Sequence, residues 1–426
     1  MPRVNVVPWS VTGSLYPYME FTIMVAEAKP LVLVPPGCHA CVGIDLHKDS
    51  MTICVLVRGT GEVAYRKIPC KNREQITTFF RELPRPHTVA IESVGFYRWL
   101  WELLEPIVEK LVLCDATQAR ALAGRRLKTD REDAANVAEL LLADRLPLAY
   151  APPREVQELR DWTRQRNRLS RDHARALHGV KSIMNANNRP GSARLDSAGL
   201  HRYLEAFSDL LPERHVKMLW QLQRRLSFLE EEIDISEREI AQRLESARFA
   251  EAARLLYTAP GIGPVVAATV LAEIGDFHRF PDGKAIGRYA GLAPRLYNSG
   301  GKERHGHISK TGPADVRWAL QQAAWTAIRC DARIKEQWLK MARGGKKKAA
   351  AVGIARKLLV ILWHMVTTNS AYRVADTNDQ AAKEAIGKSS ARARRKGPPL
   401  PTPPSPRPSL GEGEATAKAE GATAIA

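Results

Sequence analysis

Apolar residues form five short runs between residues 41 and 114, and these runs predict a sheet. They cover residues 41–46, 51–57, 63–68, 88–92 and 111–114. Gly59 and Gly61 mark a turn between the second and third runs, which indicates an antiparallel meander. Helical spacing of apolar residues predicts helices over 72–83 and 97–107. Three strands followed by alternating helices and strands are typical of a mixed sheet flanked by helices, an α/β domain.

From residue 130 onward the pattern predicts mainly helices. One helix is predicted from residue 130 through 143 and a long one over 152–185, and a loop follows over 187–200. Leucine and isoleucine then alternate spacings of three and four from Leu219 to Ile240. That seam favours a helical hairpin or a short coiled coil, within one chain or between two.

Further helices are predicted over 265–274, 314–329 and 346–366. The apolar stretch 349–366 contains Arg356, Lys357 and His364. We therefore interpret it as an amphipathic helix and not as a membrane span.

Together these elements predict five regions. They are a leader over 1–40, in which Met24 offers a later start; an α/β domain over 41–148; a basic helix and coiled-coil region over 149–249; a mainly helical domain over 250–372; and a tail over 373–426. The tail is small, charged and proline-rich, and we expect it to be disordered.

The net charge of +18 among 426 residues predicts a polyanionic partner, with nucleic acid as the default. Arg160, Arg164 and Arg168 lie in the predicted helix 152–185, where few acids balance the bases. This helix is either a solvated charged face or a phosphate-binding surface.

Six cysteines are few for this length, and we expect them to be reduced in a cytoplasmic protein. Cys38 and Cys41 form a lone C-x-x-C without a second pair, so no zinc site is expected.

Four acidic residues stand where predicted elements begin or end. Asp45 ends the apolar part of the first strand, Glu92 ends the fourth, and Asp130 and Asp133 open the helix that follows the fifth. Two acids three positions apart project from one helix face, although acids at a helix start also serve as caps. Clustered carboxylates beside phosphate suit Mg²⁺, and two such ions would assist phosphodiester cleavage.

The stretch 258–265 contains Gly261 and Gly263 between two apolar segments. It resembles the helix-hairpin-helix DNA-binding motif, in which backbone N–H groups contact phosphate; a plain packing turn is the alternative. Glycine-rich stretches follow over 297–302 and 306–312, and we interpret them as loops. Lys302, Arg304 and Lys310 supply cations there.

Three phrases in order carry a family resemblance. They are Gly-Ile-Asp-Leu-His-Lys at 43–48, Ile-Glu-Ser-Val-Gly at 91–95 and Lys-Thr-Asp-Arg-Glu-Asp-Ala at 128–134. The order of acids resembles the ribonuclease H-like (RuvC-like) nuclease fold of Holliday-junction resolvases, in which the first and fourth strands are neighbours. The wording of the phrases resembles the DEDD transposases of the insertion-sequence one-ten family.

The resemblance implies a transposase that cleaves and exchanges DNA strands. It implies that Asp45, Glu92, Asp130 and Asp133 hold metal, and that a serine in a Ser-Gly-Gly loop links covalently to DNA. Ser299 matches that serine, because Asn298 stands where many relatives have the first of two serines; Ser309 is the fallback. It also implies donor and target DNA and a structured guide RNA as partners. Since strand exchange joins two sites, we expect a homo-oligomer, a dimer or a tetramer.

Two other functions remain open from the residues. A junction resolvase or metal-dependent nuclease would use the same carboxylates with water, and Ser299 would then be structural. A catalytically silent nucleic-acid scaffold would bind through the helix-hairpin-helix without the carboxylates.

Overall fold

The computed structural model describes residues 33–123, 129–189, 196–299 and 302–372; for residues 123, 296–299 and 302–305 it describes the backbone alone. The predicted tail, residues 1–32 and part of the 187–200 stretch lie outside these ranges.

The amino-terminal sheet has five strands in the order β3-β2-β1-β4-β5. The strands are β1 (Ala40–Leu46), β2 (Ser50–Val57), β3 (Val63–Pro69), β4 (His87–Glu92) and β5 (Lys110–Cys114). Strand β2 is antiparallel to β1 and β3, while β1, β4 and β5 run parallel. The predicted mixed sheet is therefore confirmed, and β1 and β4 lie side by side.

Helices cover both faces of this sheet. They are α1 (Arg73–Glu82), α2 (Arg98–Leu104), α3 (Ala116–Ala123) and α4 (Asp130–Leu142). Helices α1 and α2 pack Phe80 and Leu100 onto one face, and α4 packs Val137 and Leu141 onto the other. Every residue of β1 and β4 is buried, which explains their nearly continuous apolar sequence. The short helix α3 was not predicted.

Helix α4 lies unusually close to β1 at Gly43. A β-carbon at this position would lie 2.3 Å from the carbonyl oxygen of Ala134 and 2.6 Å from the amide nitrogen of Ala138. Only glycine on the strand and small residues on the helix allow this approach. As a result, the first turn of α4 reaches the end of β1.

The last part of the predicted leader, residues 33–40, packs against the sheet domain. Leu33 and Val34 are buried, and their backbone N–H groups donate to Asp144 Oδ1 at 2.9 and 3.1 Å. Residues from 33 onward therefore pack with the domain that we predicted to start at 41.

The middle of the chain is a helical hairpin closed by a short helix. The elements are α5 (Arg154–Ala186), α6 (Ser197–Phe207) and α7 (Glu213–Leu244). Arg166 pairs with Glu237 and His173 with Glu230, so α5 and α7 run antiparallel. The seam residues Leu219, Leu226 and Ile240 are buried inside the chain, which favours the intramolecular alternative. The predicted loop 187–200 was too long, since α6 begins at Ser197.

The carboxy-terminal region is mainly helical, as predicted. It contains α8 (Ala250–Tyr257), α9 (Pro264–Ile274), α10 (Gly283–Tyr289), β6 (Pro294–Ser299), β7 (Lys302–Ile308), α11 (Ala314–Cys330), α12 (Ala332–Met341) and α13 (Lys347–Thr367). Val156 and Leu159 of α5 belong to the same apolar core, so α5 is shared between the hairpin and this region.

Helix α13 is long and apolar enough to cross a membrane by length and composition. Its residues Leu358, Leu359 and Leu362 are fully buried in the core of this region. The helix is thus a core helix of the fold.

Candidate metal centre on the sheet

Two carboxylates meet at the end of the two central parallel strands. Ile44 of β1 pairs with Ile91 of β4, so the next residues, Asp45 and Glu92, are neighbours across the strands. The two residues are only 5% and 8% exposed. The sheet therefore buries two acids side by side, which is costly unless a cation or protons compensate.

Helix α4 adds the second pair of acids. The Thr129 hydroxyl caps the helix by accepting from the Glu132 N–H at 3.2 Å, so that Asp130 and Asp133 both fall in the first turn. Because α4 closes on β1 at Gly43, this turn stands over Asp45. The negative charge of Asp133 raises the pKa of both Asp45 and Glu92, which places it within electrostatic reach of both.

The pKa values of the acids shift because of their burial and of the charges beside them. Burial, followed by the charges of Asp45 and Asp133, raises the pKa of Glu92 to about 7. Burial also raises the pKa of Asp45, although the nearby His47 opposes the shift. The half-buried Asp130 behaves in the opposite way, since its hydrogen bond with Lys67 lowers its pKa. The buried acids favour protonation, and a bound cation would reverse that preference.

Two further side chains, those of His47 and Lys67, reach these acids, and neither was predicted as a site residue. His47 Nε2 lies 3.0 Å from Asp45 Oδ2 and 3.4 Å from Asp130 Oδ1, and Lys67 Nζ lies 3.1 Å from Asp130 Oδ2. His47 follows Asp45 by two residues in the Gly-Ile-Asp-Leu-His-Lys phrase at 43–48, so its closeness in sequence could have indicated a place in the site. Lys67 had no local signal, because only strand pairing aligns Asp45 with Thr52 and Thr52 with Lys67.

The residues present fit a divalent metal. Among the residues that the structure describes, Asp45, His47 and Asp130 form a group whose ligand atoms lie within 4.8 Å of one another. Asp45 Oδ2 is buried and accepts no hydrogen bond, an orphaned oxygen that a cation would satisfy. Oxygen ligands with one imidazole suit several divalent ions, so the donor set alone does not select magnesium.

The predicted serine loop is a β-hairpin. Strands β6 and β7 pair antiparallel, with Ser299 opposite Lys302, so the loop interpretation of 297–302 was wrong. Two short runs separated by a glycine pair are typical of hairpins, and that signal was available in the sequence. The side chains of Ser299, Lys302 and Arg304 lie outside the described part of the structure.

Ser309, the fallback serine, follows β7. Its hydroxyl exchanges a hydrogen bond with the Thr311 hydroxyl at 2.9 Å, and its N–H donates to Ala293 O at 2.9 Å. Within the described residues, no hydrogen bond or ion pair joins this serine or the hairpin to the four acids. The carboxylates and the serines thus belong to separate parts of the chain.

Several residues predicted to contact nucleic acid have partners inside the protein. Arg160 is only 13% exposed and donates to Ala272 O at 3.0 Å, and Arg164 binds both carboxylate oxygens of the buried Glu273 at 2.7 and 3.0 Å. These two arginines fasten α5 to the end of α9, a role that the charge pattern did not reveal. Arg168 is exposed and donates to Gln165.

The two glycines of the α8–α9 turn differ in their surroundings. Gly261 has φ +80°, and a β-carbon there would lie 2.4 Å from Ala323 O of α11. It serves internal packing, the alternative that the sequence left open. A β-carbon at Gly263 would meet no atom within 4 Å, so the backbone there faces open space. Lys310 is exposed with φ 57°.

Comparison with known proteins identifies relatives over most of the chain. Residues 42–187 match a family model of DEDD transposases of the IS110 type, and residues 253–339 match the model described as transposase IS116/IS110/IS902 family. A probable family 20 transposase of Pseudomonas aeruginosa is 30% identical over 344 residues, which cover 78% of this chain and 98% of that protein.

Two further relatives are transposases of named insertion sequences. The transposase of element IS1328 from Yersinia enterocolitica is 25% identical over 78% of this chain and 98% of its own length. That of element IS1111A from Coxiella burnetii is 27% identical over 58% of this chain and 68% of its own length.

Proposed function

Since this chain belongs to the IS110 family of transposases, we propose that it cuts and rejoins DNA through carboxylates that hold metal and a serine nucleophile. The carboxylates are Asp45, Glu92, Asp130 and Asp133, and the serine is Ser299. The observation that carries this proposal is the burial of Asp45 beside Glu92 under the acidic first turn of α4. Burying two adjacent acids is costly unless a cation or protons neutralise them, and a bound divalent cation would do so.

The strand order supports a ribonuclease H-like domain. A three-stranded antiparallel meander continues through β1 into the parallel strands β4 and β5, and the acids stand at the carboxyl ends of β1 and β4. This is the arrangement that the resemblance implied.

The acids would bind divalent cations, with Mg²⁺ as the first candidate and two ions as the expected number. Such ions supply electrostatic stabilisation to the attacking and leaving oxygens of a phosphodiester. The chain's own contribution is positional: the sheet holds Asp45 and Glu92, and the capped first turn of α4 holds Asp130 and Asp133. Burial of the first pair excludes water from one side of the site.

The serine step conserves phosphodiester energy. The Ser299 hydroxyl oxygen would attack a backbone phosphorus and form a phosphoserine ester, while one deoxyribose oxygen leaves. The hydroxyl proton passes to a base, and the leaving oxygen acquires a proton. Attack by the deoxyribose hydroxyl of another strand reverses the step and releases the serine. Strands are thereby exchanged without net hydrolysis, and Lys302, Arg304 or Lys310 would stabilise the developing charge.

The separation of acids and serine in the chain supports an assembly of more than one copy. Strand exchange between donor and target requires at least two sites, so we propose a dimer or a tetramer. An assembled complex would bring the hairpin to the carboxylates over DNA.

Covalent trapping tests the proposed mechanism. The wild-type protein, incubated with element-end DNA and Mg²⁺, is expected to give a protein–DNA adduct that resists denaturation. Ser299→Ala and Glu92→Gln should each abolish the adduct, whereas Ser309→Ala should retain it and serves as the matched serine control. Free nicked ends without an adduct would instead establish a junction resolvase or nuclease. Magnesium-independent binding that ignores both substitutions would establish a scaffold.

A structured guide RNA is the further partner that we propose. Its support is the net charge of +18 and the exposed cationic residues of α5, Arg168 among them. RNA should copurify with the protein, and its digestion should remove DNA target choice while leaving metal binding intact. Unchanged target choice after complete digestion would exclude guidance.

A further inference from the structure

His47 occupies a rigid turn at the mouth of the carboxylate site. It follows β1 directly, and its N–H donates to Ser50 O at 3.0 Å, which closes the turn into β2. The Cys70 thiol donates to the His47 carbonyl at 3.4 Å. The imidazole is 54% exposed at its outer side, while its Nε2 faces the acids. Its backbone is therefore fixed from both sides before any ligand binds.

His47 Nε2 lies beside an oxygen of Asp45 that is left unsatisfied. Nε2 and Asp45 Oδ2 are 3.0 Å apart, a distance at which a hydrogen bond normally forms, yet that buried oxygen has no hydrogen-bond partner. Asp130 Oδ1 lies 3.4 Å from the same nitrogen.

This is the geometry of neighbouring ligands around one ion. Adjacent ligands of an octahedral ion at about 2.1 Å lie about 3 Å apart, and each lies about 45° off the other's lone-pair axis. The Nε2–Oδ2 separation of 3.0 Å matches that edge, and all three ligand atoms fall within 4.8 Å. The end of β1 with the turn that follows it supplies two of these donors, and the first turn of α4 supplies the third.

We propose that His47 is a direct ligand of the metal held by Asp45 and Asp130, an inference that rests on the proposed function. Imidazole suits later divalent ions of the first transition row better than it suits Mg²⁺, whereas carboxylates suit both Mg²⁺ and Mn²⁺. The site therefore binds Mn²⁺ more tightly than Mg²⁺, and His47 is the residue that sets this preference.

Lys67 has the opposite relation to the metal. Its ammonium group lies 3.1 Å from the second oxygen of Asp130 and cannot act as a ligand while it carries a proton. It competes with the ion for Asp130. Removal of Lys67 should therefore strengthen metal binding, while removal of His47 should weaken it, so the two substitutions should change metal affinity in opposite directions.

The alternative is that His47 acts as a protonated counter-ion that fills the site until metal displaces it. That role also predicts a cation near two carboxylates. The two roles predict opposite effects of removing His47. If His47 competes with the metal, its removal should raise metal affinity, as removal of Lys67 should.

The experiment uses the full chain and Mn²⁺ as the probe. Mn²⁺ affinity is measured by calorimetry, and nitrogen coordination is read from the ¹⁴N coupling in pulsed electron paramagnetic resonance of the bound ion. The wild-type protein should show one directly coupled nitrogen. His47→Gln should lose that coupling and bind Mn²⁺ about tenfold or more weakly, with a smaller loss for Mg²⁺. Lys48→Gln, at the adjacent exposed residue, is the control and should retain both.

The outcomes separate this inference from the proposed function. Mn²⁺ that binds without nitrogen coupling, or binds more tightly to His47→Gln, overturns the role of His47 and leaves the carboxylate site intact. An absence of any Mn²⁺ binding, with Asp45→Asn no different from the wild type, overturns the proposed metal site itself. Circular dichroism of each variant verifies that the fold persists.

Discussion

The carboxylate site and the serine-bearing hairpin are held in place by different forces. Asp45 and Glu92 sit on central strands that are buried over their whole length, and close packing at Gly43 fixes the helix that brings Asp130 and Asp133. The hairpin β6–β7 is held together by antiparallel backbone pairing of its two strands. One half of the proposed chemistry is built into a core, and the other half lies on a separate two-stranded sheet.

The contrast agrees with what each half must do. Metal ligands have to be positioned before the ion arrives, because a loose set of acids would lose affinity. A nucleophile that becomes attached to a DNA strand must travel with that strand during exchange. A separate two-stranded hairpin suits such movement better than a strand in the middle of a five-stranded sheet.

The largest expected effect comes from breaking the packing beneath the carboxylates. Gly43→Ala forces a methyl group against the Ala134 carbonyl, and we expect a loss of about 3 kcal/mol or more in the free energy of unfolding. Metal binding should fall with it, because α4 would move away from β1. Chemical denaturation measures the first effect. Gly95→Ala is the matched control, since a β-carbon there meets no atom within 4 Å. Equal stability of the two variants would contradict the tight contact.

The next largest effect is the dependence of folding stability on pH through ionisation of Glu92. The pKa of Glu92 is about 7 in the folded, metal-free protein, against an ordinary value of 4.5. Ionisation of this group therefore opposes folding: its favourable contribution is complete below the ordinary value and is lost as the pH rises through 7. The difference corresponds to about 3 kcal/mol.

Thermal unfolding as a function of pH measures this contribution. The metal-free protein should become less stable between about pH 5 and pH 8, and Glu92→Gln should flatten that dependence. A divalent cation should stabilise the wild type much more at the higher pH, since protons no longer compete with it. A metal-free wild type whose stability rises over the same interval would show that Glu92 does not ionise in this way.

The smallest loss of stability is expected from Arg317, which binds the loop that follows the hairpin. Arg317 Nη1 donates to the carbonyl oxygens of Ala290, Thr311, Gly312 and Pro313 at 3.1, 2.7, 3.1 and 3.3 Å. Arg317→Ala should cost about 1–2 kcal/mol and speed amide exchange after β7, while metal binding remains unchanged. Arg288→Ala, at an exposed position of α10, is the control. A change in metal affinity on loss of Arg317 would mean that the two regions are coupled.

The buried sheet and the β6–β7 hairpin also differ in how well the sequence predicted them. Strands β1 to β5 follow from apolar runs, since burial on both faces leaves a nearly continuous signal. The hairpin was missed because glycine and polar residues dominate it, and local composition outweighed the glycine pair between two short strands. Helix α3 was missed because its eight residues carry a weak apolar pattern. Helices α6, α8, α10 and α12 were not predicted either. The bounds of the predicted helices differ from the observed ones by a few residues, as helix ends do.

The arginines of α5 show a limit of reading charge from sequence. Arg160, Arg164 and Arg168 have the same spacing and chemistry, yet two of them bind Glu273 or the end of α9 and one faces solvent. The deciding partner lies more than a hundred residues away along the chain. Sequence spacing places a charge on a helix face, but it does not state what that face meets.

The sequence by itself determined the mixed sheet, much of the helical remainder, four candidate acids and the resemblance to transposases, because these depend on local periodicity and on residues close together in the chain. Only the tertiary structure decided that Asp45 lies beside Glu92, that α4 closes on Gly43, and that His47 and Lys67 enter the site. Those facts depend on strand register and helix packing between residues far apart in sequence. The physical reason is that local patterns select elements, whereas close packing selects which of their side chains meet.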